Sequence, residues 1–326
     1  MLPTPEDVLA AGRRLAGRVV RTPMLRHPVL DEIAGGTVLL KAEPLQRTGS
    51  FKFRGATNAV LQLGEAARAK GVVTHSSGNH GQALACAAAA VGAHATVVMP
   101  SDAPAIKRDS TRRWGAEIVE YDRAKEDREA ISAGIAAQTG ATLIPPYDHP
   151  HVIAGQGTAA LELAEDAASA GLAMDALLVC TGGGGLIAGS ALAMAAISPS
   201  TAVYAVEPEG WDDTGRSLRA GQRERAVGGS GLCDALLAPM PGELTFAVNR
   251  ERLAGGLAVP DEAVLRAVAF AFKYLKLVVE PGGAVCLAAL LGGQFRAEGK
   301  VVGAILSGGN VDSAAFAQAL LAPPRD

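Results

Sequence analysis

The sequence predicts an α/β fold in which parallel sheets are flanked by helices and the chain divides into two domains. Short β-branched runs alternate with alanine-rich amphipathic stretches from end to end, the rhythm of parallel sheets with helices on both faces. The chain has 326 residues, which suits one large or two medium domains at roughly 100–200 residues each. Hydrophobic residues make up 49% of it, enough for sizeable cores, and with aromatics at 4% the packing falls to Ala, Val, Leu and Gly.

Candidate strands are Val38–Glu43, Val72–Ser76, Ala95–Met99, Glu117–Tyr121, Leu143–Pro145, Ala176–Thr181, Ala202–Glu207 and Val301–Leu306. Between them, helices are expected at Phe53–Leu63, His80–Val91, Ala105–Trp114, Arg128–Thr139, Thr158–Ala168, Leu186–Ile197, Asp261–Lys276 and Gly283–Gly292. The segment Gln222–Thr245 is rich in Gly and Pro and reads as an irregular excursion near a site. The first residues read as a helix start and lack the charged and apolar regions of a signal peptide. The apolar runs Ala83–Val91 and Ala188–Ile197 are too short to span a bilayer, so a soluble cytoplasmic protein is expected.

Thirty basic and 33 acidic residues are interspersed, with a net charge of −3, so no basic face marks a nucleic acid or an anionic membrane as partner. Cys86, Cys180, Cys233 and Cys286 lie far apart with no C-x-x-C pair and read as buried thiols of a reducing compartment.

Five stretches at strand–turn–helix junctions carry candidate chemistry. In Gly49-Ser-Phe-Lys-Phe-Arg-Gly55, Lys52 falls in the first turn of a helix, whose partial positive charge favours an unprotonated, imine-forming amine. A lone lysine is more often a solvated surface residue. Ser76-Ser-Gly-Asn-His-Gly81 offers hydroxyls, an amide and backbone N–H groups to an anion, although Ser or Asn there also suits an ordinary helix cap. Thr181-Gly-Gly-Gly-Gly-Leu186 lets N–H groups curl around a phosphate at a helix start. The same glycines, with Glu207 ending the next strand, also fit a dinucleotide turn, which keeps a nicotinamide dehydrogenase open on this motif alone. Ser307-Gly-Gly-Asn310 places a hydroxyl where it could bond a ring nitrogen, or is a plain turn. Glu207-Pro-Glu-Gly-Trp-Asp-Asp213 clusters oxygen ligands suited to Mg²⁺ or Ca²⁺, or is a solvated acidic turn.

Taken together, these motifs, with Ala154-Gly-Gln-Gly-Thr158 and Glu280-Pro-Gly-Gly283, resemble the fold-type II pyridoxal 5'-phosphate (PLP) enzymes, in particular the serine/threonine dehydratases and serine racemase. The match is collinear from about Val8 to Asp312. The dehydrogenase reading leaves Ser-Phe-Lys and Ser-Ser-Gly-Asn-His unexplained.

The resemblance implies a tryptophan synthase β-like architecture. Its large domain would use residues 1–47 and 150–326, with a small domain at 48–149 and PLP between them. It implies that Lys52 binds PLP covalently, that Phe51 packs against the ring, and that Asn79 bonds the ring hydroxyl. Gly182, Gly183, Gly184 and Gly185 would hold the phosphate, and Ser307 would meet the pyridine nitrogen. Ser76, Ser77, Gly78, Asn79 and His80 would hold the substrate carboxylate, with Ser77 as a second acid/base. Arg128 matches an arginine that approaches substrate-like acids. Glu207, the Trp211 carbonyl and Asp213 match a site for Mg²⁺, Ca²⁺ or Mn²⁺. One departure is Ala238, where the racemase has a substrate-side serine. Another is that the chain ends soon after Asp312, so no C-terminal regulatory domain is expected.

The activity so implied is dehydration of L-threonine, L-serine or a similar β-hydroxy amino acid to a 2-oxo acid and ammonia, by a homodimer or higher homo-oligomer. Serine racemisation and dehydration of 3-hydroxyaspartate are the alternatives. A non-catalytic amino-acid-binding module is disfavoured by Lys52, since binding alone needs no imine.

Overall fold

The protein is described by a computed structural model for residues 1–76, 78–103 and 105–321. The strands are β1 (Met24–Leu25), β2 (Thr37–Ala42), β3 (Val72–His75), β4 (Ala95–Pro100), β5 (Glu117–Tyr121), β6 (Thr142–Leu143), β7 (Ala176–Cys180), β8 (Ala202–Pro208), β9 (Leu253–Val259) and β10 (Val301–Leu306). They form a six-stranded sheet in the order β1-β2-β10-β7-β8-β9 and a four-stranded sheet in the order β5-β4-β3-β6. Every pairing is parallel except that of the two-residue edge strand β1 with β2. Continuous apolar runs such as Ala176–Cys180 and Ala95–Pro100 are buried along their whole length, as strands covered on both faces require.

The helices are α1 (Pro5–Leu15), α2 (Pro28–Ala34), α3 (Lys52–Leu61), α4 (Glu65–Lys70), α5 (Asn79–Ala89), α6 (Ala105–Arg113), α7 (Arg128–Thr139), α8 (Pro150–Ser169), α9 (Gly185–Ile197), α10 (Asp213–Ala220), α11 (Glu243–Arg252), α12 (Asp261–Phe270), α13 (Pro281–Gly292) and α14 (Ser313–Leu320). The helix start read at the N-terminus is α1. Thr4 accepts the Asp7 N–H, Asp7 accepts the Thr4 N–H, and Pro5 occupies the first turn, where no donor is needed. Among the described residues, no helix is long and apolar enough to cross a membrane.

The structure differs from the expected elements in three instructive places. The helix expected at Thr158–Ala168 begins eight residues earlier, at Pro150, because His149 caps it through its ring nitrogen. Its glycines hid it. A Cβ on Gly155 would come within 2.7 Å of Gly55 Cα on α3, and one on Gly157 would strike the Gly189 carbonyl of α9. These glycines set close helix crossings that outweigh their low helix propensity. The strand β9 was also hidden by its Gly255-Gly256 pair. Gly256 is needed there because a Cβ would come within 2.6 Å of Gly215 Cα on α10. The helix expected over Asp261–Lys276 stops at Phe270 and continues as a π turn to Leu275, ending at Lys276 with φ 58°. The Gly/Pro-rich excursion is irregular up to Gly242, apart from a 3₁₀ turn at Asp234–Leu236, and its last residues start α11.

Because the sheets are parallel, the loops after β3, β7 and β10 and the start of α3 all emerge at strand C-terminal ends, where ligands of such folds bind. The close crossing of α8 and α9 yields a stability test. Gly157→Ala should destabilise the protein by about 1–3 kcal/mol through overpacking. Gly134→Ala on α7, where a Cβ meets nothing within 4 Å, should stabilise by about 0.5–1 kcal/mol. Urea denaturation of both variants checks this; equal behaviour would show that the crossing tolerates a methyl group.

Candidate active site

Lys52 opens α3 directly after Phe51, at the seam between the two sheets. Phe51 N–H donates to the Ser307 carbonyl at 3.0 Å, and Ser50 pairs with Gly308, so the loop before α3 is tied to the end of β10. The Lys52 amine donates to the Pro146 carbonyl at 2.7 Å and lies 5.2 Å from the Phe51 ring centroid. Burial, with the Glu280 charge opposing it, lowers the Lys52 amine to about 8, so a substantial neutral fraction exists near neutral pH.

The glycines of the β7–α9 loop face this amine across one cleft. Gly184 has φ 90°, a left-handed conformation that L side chains rarely adopt, and a Cβ on Gly183 would run into the Tyr147 ring. The backbone is therefore bare at the start of α9, where the first N–H groups have no intrahelical partner. Thr245 Oγ1 donates to the Gly183 carbonyl at 2.8 Å, and Asp148 accepts the N–H groups of Glu243, Leu244 and Thr245. Asp148 thus caps α11 and holds Tyr147 against the glycine loop. An amine whose pKa is lowered to about 8, opposite a side-chain-free helix start, is a donor set that fits a phosphorylated aldehyde.

The loop after β3 closes the third side. Ser76 Oγ accepts the Gly78 N–H at 3.2 Å, and Asn79 starts α5. Ser77 lies outside the described residues. The His80 ring is 1% exposed, and its Nε2 meets the Ile144 carbonyl at 3.1 Å, so what this residue offers the cleft is backbone. Burial, with the Lys52 charge adding to it, pushes the His80 imidazole down to about 3, so the ring is neutral. Ser307 is 4% exposed at the end of β10 and lines the cleft beside Cys180. Arg128, the first residue of α7, also lines it, near His75 and Tyr147. Burial and the Arg128 charge both lower the His75 imidazole. Ala238 and the Asp234–Leu237 turn form the far wall, which places the Gly/Pro-rich excursion at the site.

The acidic cluster is separate. Glu207 and Asp213 are fully buried; Glu207 accepts the Thr214 and Gly215 N–H groups at 2.9 and 2.8 Å, while neither Asp213 oxygen has a hydrogen-bond partner. The Trp211 ring donates to the Ser230 carbonyl at the edge of the same turn. Burial and the Asp213 charge push the Glu207 carboxyl up to about 8, and burial first, then Asp212, pushes Asp213 to about 7. Two buried carboxyls, one of them with both oxygens unpartnered, are a donor set that fits a divalent ion.

Several site residues carried no assigned role in the sequence. Tyr147 and Asp148 reach the glycine loop from the far side of a short strand, and Lys107 on α6 forms an ion pair with Asp234 across the cleft mouth. No local pattern marks such pairings. All four cysteines are buried and free, and although distant in sequence, Cys180 and Cys286 meet with sulfurs 3.4 Å apart.

A family model described as pyridoxal-phosphate dependent enzyme matches residues 15–308. An L-threo-3-hydroxyaspartate ammonia-lyase of Pseudomonas sp. is 47% identical over 96% of this chain and 97% of its own length. An L-threonine ammonia-lyase of Thermotoga maritima is 40% identical over 95% of this chain and 76% of its own. The solved structure of maize serine racemase superposes with a TM-score of 0.91 at 38% identity, covering 98% of this chain and 97% of that one. The chain belongs to the pyridoxal-phosphate-dependent enzymes, in the fold-type II branch of dehydratases and serine racemases.

Proposed function

We propose that this chain is a PLP-dependent lyase that releases water and ammonia from a β-hydroxy amino acid, with a preference for a substrate carrying a second carboxylate, as 3-hydroxyaspartate does. The observation that carries the preference is Arg128. Its guanidinium lines the cleft with no ion pair or hydrogen bond to the described residues, whereas the other cations there are engaged, Lys107 by Asp234 and Lys52 by the Pro146 carbonyl. An unpaired arginine in a binding cleft suits a bidentate carboxylate. Serine and threonine, the first substrates implied by the resemblance, have no second carboxylate for it. The name of the Pseudomonas relative supports the same substrate class.

PLP, when bound, supplies the electron sink that acidifies the substrate α-hydrogen. Lys52, the proposed PLP lysine, would hold the cofactor and, as a free amine, would be the group placed to accept that proton. The bare N–H groups of Gly182–Gly185 would hold the phosphate, Phe51 would pack on the ring, Ser307 would meet the ring nitrogen, and the Ser76–His80 backbone would hold the α-carboxylate. The β-hydroxyl would leave as water with a proton equivalent to the one Lys52 took from the α-carbon, and the released enamine would take up water to give a 2-oxo acid and ammonia. Glu207, Asp213 and the Trp211 carbonyl would hold Mg²⁺, Ca²⁺ or Mn²⁺ away from the reacting atoms, as a structural ion.

Three outcomes test this. The purified protein should absorb visible light and release 2-oxo acid, and Lys52→Ala should lose both; a colourless wild type after PLP addition would refute the reading. Losing a charge-assisted carboxylate contact costs about 1.5–3 kcal/mol. Arg128→Ala should therefore lower kcat/KM for 3-hydroxyaspartate about 10–150-fold and for serine far less; equal losses would reject the selectivity.

The third outcome concerns the acidic pair. Both carboxyls have folded pKa values above their unfolded ones, so without a cation their contribution to stability is fully present below the unfolded carboxylate range, falls as pH rises above that range, and is lost once pH has passed about 7 for Asp213 and about 8 for Glu207. A bound cation needs the deprotonated pair and so offsets that loss. Chelated protein should lose Tm between pH 6 and 8.5, and Mg²⁺, Ca²⁺ or Mn²⁺ should restore it at the alkaline end only. Asp213→Asn should abolish the restoration. Identical Tm curves with and without chelator would leave the pair as an acidic turn.

A further inference from the structure

Four separated motifs meet in one chain of polar side chains beside Lys52. Asn310 Nδ2 donates to the Thr48 carbonyl at 2.9 Å and to Asn79 Oδ1 at 2.8 Å. Both hydrogens of that amide are thereby used, so Asn79 turns its oxygen to Asn310 and its nitrogen the other way. Asn79 Nδ2 donates to Glu280 Oε1 at 2.6 Å. The order of donors makes Glu280 Oε1 an acceptor, so any proton on Glu280 sits on Oε2. Glu280 is 2% exposed, and Oε2 is buried with no hydrogen-bond partner. A buried carboxyl in that state either keeps its proton or needs a positive neighbour.

The titratable groups facing Glu280 are Lys52 from α3, Lys107 from α6, Asp234 from the 3₁₀ turn, and the buried Cys233 thiol. Lys107 favours the Glu280 charge, but Asp234, its ion-pair partner across the cleft mouth, opposes it more strongly, so the pair gives Glu280 no net stabilisation, and burial holds Cys233 in its neutral thiol form. Lys52 is the cation that remains, and it lines the same cleft.

We propose that Glu280 is a positioning residue for the lyase reaction: its carboxylate balances positive charge on the Lys52 nitrogen and, through Asn79, fixes which amide atom faces the cofactor ring. The two groups are closely matched. Burial, with the Asp234 charge, brings the Glu280 carboxyl up to about 7, while burial brings the Lys52 amine down to about 8, so between these values each favours the charged form of the other. Asn79 keeps one amide hydrogen for the cofactor because Glu280 takes the other.

The inference rests on Lys52 being the PLP-bearing lysine, and the test separates the two. The visible band of the holoenzyme is titrated from pH 6 to 9 in wild type, Glu280→Gln and Glu280→Asp, with bound PLP and Tm measured on each. Glu280→Gln keeps the acceptor for Asn79 but removes the charge. It should retain PLP and move the titration midpoint about 0.5–1 pH unit lower, because the nitrogen loses a stabilising anion. Glu280→Asp, which keeps the charge, should titrate near wild type. A Glu280→Gln midpoint unchanged beside a normal wild-type band would overturn the role of Glu280 and leave that of Lys52 standing. An equal shift in Glu280→Asp would overturn it too, since geometry rather than charge would then be the cause. A wild type with no visible band would remove the Lys52 reading and this inference with it.

Discussion

Arg54 has no exposed surface, and a guanidinium cannot lose its proton in a protein, so the fold around it must supply carboxylates. It does so on two sides. Arg54 Nε and Nη2 donate to the two Glu43 oxygens at 2.8 Å each, and Nη1 and Nη2 donate to the two Glu162 oxygens at 2.7 and 2.8 Å. Glu43 follows β2 and Glu162 lies on α8, so the first turn of α3 is fastened to the six-stranded sheet and to its covering helix. Lys41, also fully buried, completes the cluster with Glu162 and the Thr22 carbonyl. Burial alone would raise the Glu162 carboxyl; Arg54 and Lys41 hold it below its ordinary range instead. The residue placed by this fastening is Lys52, two positions before Arg54.

The rest of α3 turns the other way. Phe53, Ala56, Ala59 and Val60 pack into the core that surrounds the four-stranded sheet. One helix therefore belongs to both halves, with its charged start in one and its apolar face in the other. The glycine contacts of α8 with α3 and α9 bring the same elements close enough for the β7–α9 loop to face Lys52. Precision at the amine thus derives from packing and ion pairs on rigid elements, while loops supply most of the facing cleft wall.

Buried carboxyls recur in this molecule with different solutions. Glu43 and Glu162 meet fixed cations within the protein. Glu207, Asp213 and Glu280 form no ion pair with the described residues, and all three are raised well above the ordinary carboxylate range. Such groups stay poised between charge states until a partner settles them. Glu280 lines the same cleft as Lys52, whereas Glu207 near the end of β8 and Asp213 at the start of α10 lie outside it.

Much was legible in the chain because it is local. Strand–loop–helix punctuation, the glycine run at 182–185 and the position of Lys52 in the first turn of a helix are each set by residues within a few positions of one another, and the parallel α/β class follows from their rhythm. What stayed hidden depends on residues far apart. The glycines of α8 and β9 look like breaks until the crossing helices that require them are present. Tyr147 reaches Gly183, Lys107 reaches Asp234, and Asn79 joins Glu280 and Asn310, through contacts that no local spacing encodes. The sequence by itself determined which chemical groups the protein owns and the short turns that present them. Only the tertiary structure decided which of those groups share one buried space, and in a water-poor interior it is that company that settles which of them carry charge.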